Sequence, residues 1–211
     1  MFLCLEGVDG CGKSTQLDLL ERALAERGHE VVRVRDPGST PVAEEIREIL
    51  LKPRPDGELG GMAELFLYGA ARAQLLDSVV RPALRAGKTV LSDRFCWSTF
   101  AYQGFGRGLD AEAIERLNAV ACGDDVPDLT VALDIPLALS RERMGRRAAE
   151  TGEAPDRLEL EQDAFFERVR AGYAEAARRH PDRVAVVDGS GSAEEVAARV
   201  REALRGRVRG F

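Results

Sequence analysis

Five short apolar runs punctuate the chain, with longer stretches of helical periodicity between them. The runs are Phe2-Leu3-Cys4-Leu5, Val31-Val32-Arg33-Val34, Thr89-Val90-Leu91, residues 129–134 and residues 183–187. Their length and the turn residues that bound them predict buried strands. After the first run, Leu17, Leu19, Leu20, Ala23, Leu24 and Ala25 form a helical stripe that ends near Gly28. Pro41 opens a helix over 42–51. One long helix is predicted over 62–86, bent by Pro82 near its end. A short helix over 96–103 leads into a glycine-rich turn, Gly104 to Gly108, and Asp110 caps a helix to about Ala121. Pro136 starts a helix carrying Arg141, Arg143, Arg146 and Arg147, and further helices are predicted over 157–179 and 193–204. Residues 52–61 and 148–156 lack periodicity and read as polar, flexible connections. Strands that alternate with helices predict an α/β fold: a five-stranded parallel sheet with helices on both faces, one domain over 1–211. Ligands of such sheets gather at the carboxyl ends of the strands.

Chemistry is concentrated at the end of the first strand. Gly7-Val8-Asp9-Gly10-Cys11-Gly12-Lys13-Ser14 fits G-x-x-x-x-G-K-[ST] between a strand and a helix. The glycines let backbone N–H groups turn inward onto phosphate oxygens. Lys13 reaches the β- and γ-phosphates, and the Ser14 hydroxyl ligates Mg²⁺. This predicts a nucleoside triphosphate site. No N-K-x-D string occurs, so a GTPase is disfavoured. Asp93-Arg94, at the end of the third strand, suits a metal contact beside an acceptor phosphate. The arginines between 141 and 157 suit a mobile segment that closes over transferring phosphate, although Arg141 and the arginines of 199–209 read as solvated charges.

Composition narrows the partners. Apolar residues make up 45% and charged residues 31%, the balance of a soluble globular chain. A net charge of −6 argues against a nucleic-acid surface. No apolar run approaches a membrane span, and Phe2–Leu5 is too short for a signal peptide. Cys4, Cys11, Cys96 and Cys122 show no C-x-x-C pairing and read as reduced thiols, so a cytoplasmic protein is expected. The residues alone leave two classes of reading: a nucleotide or nucleoside kinase, its base still open, and a nucleotide sensor without turnover. A complete Lys13, Ser14, Asp93 and Arg94 set argues against the sensor.

The strings EGVDGCGKST, RDPGST, LFLYGAARAQ, SDRFCWSTFAYQG, PDLTVALDIP and DRLE, in this order and spacing, resemble the bacterial thymidylate kinases of the P-loop nucleoside monophosphate kinase superfamily. The resemblance covers essentially the whole chain. It implies transfer of the γ-phosphate of ATP to dTMP, with Mg²⁺ as cofactor and a homodimer built on apolar helices such as 62–86. It assigns ATP to Gly7, Val8, Asp9, Gly10, Cys11, Gly12, Lys13, Ser14, Thr15 and Arg143, and the metal to Ser14 and Asp93. It implies that Phe66 stacks on thymine while Arg72 bonds the base edge, about 120° around the helix from it. Thr99 and Gln103 complete base reading, Tyr102 crowds the sugar 2′ position, and Asp9 holds the 3′-hydroxyl. Arg47 and Arg94 clamp the acceptor phosphate, and Asp36 and Pro37 belong to the dTMP site through the RDPGST turn. Gly10 stands where some relatives carry a catalytic arginine, so the resemblance sends that role to a lid at about 143–157, to Arg147 or Arg157. Asp36 and Ser39 replace the usual Glu and Gly of that turn. Ser39 is therefore expected at an ordinary backbone angle, and a cis peptide before Pro37 is implied.

Overall fold

The computed structural model describes residues 1–54, 57, 59–152, 154–208 and 211. Pro55, Asp56 and Glu58 of the expected loop, Glu153 of the expected lid, and Arg209 lie outside the described residues. Strands β1 (Phe2–Gly7), β2 (Val31–Arg35), β3 (Thr89–Asp93), β4 (Leu129–Asp134) and β5 (Val184–Asp188) form one sheet. Their order is β2-β3-β1-β4-β5, and every neighbouring pair is parallel. β1 is buried along its whole length. Its side chains alternate between faces. Leu3 and Leu5 join an apolar cluster with Leu17, Leu20 and Leu24 of α1 (Lys13–Ala25). Phe2 and Cys4 join a second cluster with Leu75, Leu76 and Val80. A central strand clothed on both sides is what a continuous apolar run requires.

The predicted helices form, with boundaries moved for identifiable reasons. Thr40 accepts from the Ala43 N–H at 3.1 Å and caps α2 (Pro41–Leu51). The single helix expected over 62–86 is α3 (Gly61–Leu75), a widened π-type turn (Leu76–Val80) and α4 (Arg81–Arg85). Pro82 offers no N–H to the carbonyl four residues before it, and the chain widens there instead of kinking. After β3, α5 (Cys96–Thr99) runs into a second π-type stretch, Phe100–Gly106. Gly104 to Gly106 are thus helical, against the expected turn. The lack of a side chain at Gly106 matters for contact: a Cβ there would lie 2.6 Å from the Phe165 ring on α8 (Asp163–Arg179).

Asp110 caps α6 (Ala111–Cys122) by accepting from the N–H groups of Glu112 and Ala113. Helix α7 (Leu137–Thr151) extends into the stretch expected to be irregular and stops at Gly152, whose φ is +70°. Conversely α8 starts at Asp163, not at 157. The Asp156 carboxylate accepts from Leu158 N and Glu159 N at 2.8 and 2.9 Å and closes a separate turn. A reciprocal Ser192–Glu195 cap starts α9 (Ala193–Leu204). Among the described residues no helix is long and apolar enough to cross a membrane. The four cysteines are buried and unbridged.

Candidate active site

A cleft of about 1110 Å³ opens along the carboxyl ends of the strands and is lined by Asp9 to Gln16, Asp93 and seven arginines: 35, 47, 94, 141, 143, 146 and 147. Its floor is the phosphate loop. Lys13 lies under the loop, its Nζ donating to the carbonyls of Gly7 at 3.0 Å and Val8 at 3.1 Å, with Asp9 3.9 Å away. Ser14 and Thr15 are exposed to the cleft. Val8 and Cys11 are buried, and burial pushes the Cys11 thiol up. Helix α7 grips the loop from above. Ser140 Oγ donates to Asp9 O at 2.7 Å, and Arg143 donates to Gly10 O at 3.3 Å. A Cβ at Gly10 would lie 2.7 Å from the Ser140 carbonyl, and its φ is +75°. With α7 in this place no side chain fits at position 10.

Arg94 is the hub of the acceptor side. Its Nη2 donates to Asp9 Oδ1 at 2.8 Å and to the Tyr102 hydroxyl at 3.2 Å, and its Nη1 reaches Ser98 and Tyr173. Burial raises the Asp9 carboxyl, but the Arg94 and Lys13 charges outweigh it and hold it at about 2. Glu6, buried at the end of β1, accepts from the N–H groups of Phe95 and Ser98 and from the hydroxyls of Ser98 and Tyr173. It seats the segment that carries Arg94, whose own φ is +67°. Arg47 joins this side of the cleft, donating to Pro37 O at 3.2 Å. Burial and the like charges of Arg35 and Arg94 lower its pKa, which marks a cationic group held where an anion would relieve it.

The Arg35–Thr40 turn departs from expectation at Ser39, whose φ is +66° where an ordinary angle was predicted. A side chain in this region costs about 1–2 kcal/mol. Two hydrogen bonds hold it: Arg35 N donates to Ser39 Oγ and Ser39 N donates to Glu44, each at 2.7 Å. The Asp36–Pro37 peptide is cis, as the resemblance implied. Asp36 turns inward. Its Oδ2 accepts from Arg72 Nε at 2.6 Å with both side chains 1% exposed. Arg72 also donates to Asn118 Oδ1 at 2.6 Å, Thr99 Oγ1 at 3.3 Å and Phe95 O at 3.3 Å. That accounts for four of its five N–H groups.

Three expected site residues lie elsewhere than predicted. Phe66 is 57% exposed, because the arc that separates it from Arg72 turns it to the outer face of α3. Tyr68, four residues before Arg72 and so on its face, is the buried aromatic there. Arg157 does not line the cleft: its Nη2 donates to Glu64 at 2.5 Å and its Nε to Leu50 O at 2.8 Å. Arg147 does line it, paired with Glu159 and close enough to Asp9 to lower that carboxyl's pKa. Arg141, expected as a solvated charge, braces Asp163 and the carbonyls of Glu159 and Glu161. Gln103 is buried against Glu64 rather than beside Thr99, which bonds Arg72.

Asp93 lines the cleft, and its Oδ1 is buried without a hydrogen-bond partner. An orphaned carboxylate oxygen in the same cleft as Ser14 fits a cation or its waters. No cluster of three His, Cys, Asp or Glu is present among the described residues, so Mg²⁺ fits here as a companion of bound phosphates and not in an all-protein cage. Sequence reasoning missed Glu6, Glu64, Asn118, Ser140 and Tyr173. Only Glu6 carried a signal: a carboxylate closing an otherwise apolar strand, directly before the phosphate loop.

The family model described as "Thymidylate kinase" matches residues 5–200. Thymidylate kinase of Syntrophotalea carbinolica is 47% identical over 201 residues, covering 94% of this chain and 92% of that one. Thymidylate kinase of Gloeobacter violaceus is 48% identical over 204 residues, covering 97% and 94%. The crystal structure of thymidylate kinase from Ehrlichia chaffeensis superposes with a TM-score of 0.76 at 31% identity, covering 97% and 98%. The family model reaches from β1 into α9 and each of these relatives covers at least 94% of the chain, and on that extent the chain belongs to the thymidylate kinase family.

Proposed function

We propose that this protein transfers the γ-phosphate of ATP to the 5′-phosphate of dTMP, giving dTDP and ADP. The observation that carries it is one cleft with two anion sites: the phosphate loop with Lys13, and Arg47 with Arg94 facing it across Asp9. ATP would occupy the loop residues Gly7 to Thr15, with Arg143 beside Gly12. Mg²⁺, held by Ser14 and Asp93, would neutralise phosphate charge when bound. On the acceptor side the Asp36-Pro37 turn seats the recognition residues, since Asp36 holds Arg72 and the Pro37 carbonyl holds Arg47. Arg72, Thr99 and Gln103 read the base, Tyr68 stacks on it in place of Phe66, and Tyr102 lies against the sugar.

The nucleophile is an acceptor phosphate oxygen that is already ionised, so no general base is needed. A bond forms from it to the γ-phosphorus as the bond to the β–γ bridging oxygen breaks, and ADP leaves with that electron pair. Catalysis is positioning and charge neutralisation. Asp9, ionised across the working pH range, keeps Arg94 aimed and meets the 3′-hydroxyl. The lid at 143–157 supplies Arg147, which exchanges Glu159 for phosphate oxygens. The direct test is label transfer: γ-labelled ATP and dTMP yield labelled dTDP, and label retained in ATP or released only as phosphate contradicts the proposal.

Two variant pairs refine the assignment. Tyr68→Leu raises the dTMP KM about tenfold, the loss of one base–aromatic stack, whereas Phe66→Ala leaves it unchanged; the reverse result returns the stack to Phe66. Arg147→Ala lowers kcat about 10²-fold with little change in KM, while Arg157→Ala acts through Glu64 and changes the dTMP KM more than kcat. The protein acts as a cytoplasmic homodimer in this proposal. Exposed Val42, Ile49, Met62 and Phe66 on α2 and α3 favour a second copy on that face, and light scattering is expected to give twice 23.0 kDa.

A further inference from the structure

Glu64 is wholly buried, and beyond Arg157 it gathers two further partners. Its Oε1 accepts from Gln103 Nε2 at 2.6 Å, its Oε2 accepts from Arg157 at 2.5 Å, and Arg107 reaches both oxygens at 3.4 Å. A carboxylate between two guanidiniums serves as an acceptor only. Gln103 therefore turns its amino group toward Glu64. Its carbonyl Oε1 is left on the other side of the amide, away from Glu64. Glu64, Tyr68 and Arg72 follow one another at four-residue spacing on α3, so the residue that fixes this amide shares a face with the proposed stacking and base-reading residues.

An acceptor at this point tells pyrimidines apart at ring N3. Thymine and uracil carry an N–H there, and cytosine carries a lone pair. We infer that Glu64 is a specificity-determining positioning residue: it locks the Gln103 amide so that oxygen and not nitrogen meets pyrimidine N3, admitting thymine and uracil and rejecting cytosine. The inference rests on the proposed role of Gln103 as a base reader.

The test compares kcat/KM for dTMP, dUMP and dCMP in the wild type, Glu64→Gln, Gln103→Leu and the swap Glu64→Gln/Gln103→Glu. In Glu64→Gln, position 64 offers either a donor or an acceptor, and Gln103 is free to turn over. Preference for dTMP over dCMP then falls about tenfold or more, the scale of one mispaired buried hydrogen bond. Preference for dTMP over dUMP stays unchanged, because both carry the N3 hydrogen. A purely structural defect would lower all three acceptors together and overturn the inference. The swap reverses the pair, with a donor at 64 held on a carboxylate at 103 that still offers an acceptor to the base, so the dTMP over dCMP preference recovers. If Glu64→Gln fails to fold, Glu64→Asp replaces it, keeping the charge while withdrawing from Gln103, with the same fall expected. An unchanged dTMP/dCMP ratio in the Glu64 variant beside a lowered one in Gln103→Leu overturns the role of Glu64 alone. Unchanged ratios in both remove Gln103 from the base site and the inference with it.

Discussion

Lys13→Ala is expected to lower kcat by about 10³-fold, the upper range for losing one preorganised charge at a reacting centre. The free protein holds this ammonium on the carbonyls of Gly7 and Val8, with its side chain 9% exposed. Those acceptors keep it inside the loop curl, so little reorganisation separates it from the β- and γ-phosphates that replace them. Charge that spreads over the γ-phosphoryl oxygens in the transition state meets Lys13 in a cleft wall and not in open water, where the interaction would be screened. dTMP binding survives the substitution, because Arg47, Arg94 and Arg72 do not depend on Lys13. Calorimetric titration with dTMP beside steady-state ADP release checks both parts. Loss of both substrates together would mean that the loop had collapsed, and the assignment of Lys13 to transfer would fail.

Arg72→Ala is expected to cost stability and dTMP recognition at once. Truncation leaves the Asp36 carboxylate buried without its partner and strips Asn118 Oδ1 of its short donor. Breaking a buried pair in this way costs about 3–5 kcal/mol. The melting temperature of a chain of this size falls by about 2–4 °C for each of those kcal/mol. The fall is sharper for Ala than for Lys, yet Lys also fails, since one ammonium cannot reproduce a fork that meets four acceptors. The double substitution Asp36→Leu/Arg72→Met separates the two roles. It removes both charges, so thermal stability returns toward the wild type, while dTMP binding stays lost. Recovery of dTMP binding in the double variant would remove Arg72 from the base site and leave it a structural residue.

Much of the fold was legible because its signals are local. The apolar β1 run, the phosphate-loop string, Pro41 and the cap at Asp110 each announce a boundary within a few residues. The widened turns at Leu76–Val80 and Phe100–Gly106 left no such trace, since the apolar stripe runs through them without interruption. The site was legible in its arginines and its loop, but not in what holds them. An arginine on a helix ordinarily faces solvent, and Arg72 is buried only because Asp36, Thr99 and Asn118 arrive from three distant parts of the chain. Phe66 and Tyr68 are two residues apart, and which one turns inward depends on helix rotation fixed by the packing of α3. Arg157 follows a polar stretch that looks free to swing, and it is pinned by Glu64, a residue 93 positions earlier. Ser39 shows the limit of substitution logic: a non-glycine residue holds a left-handed angle because its own hydroxyl satisfies the backbone there.

Coupled ADP release measured with ATP and, in turn, dTMP, dUMP, dCMP, dGMP, dAMP and thymidine tests the central claim most directly. The highest kcat/KM is expected with dTMP, followed by dUMP, with the purine nucleotides and thymidine far lower because they misfit the base pocket or lack the phosphate that Arg47 and Arg94 hold. A higher kcat/KM for any other acceptor, or ADP release that no acceptor stimulates, would contradict it.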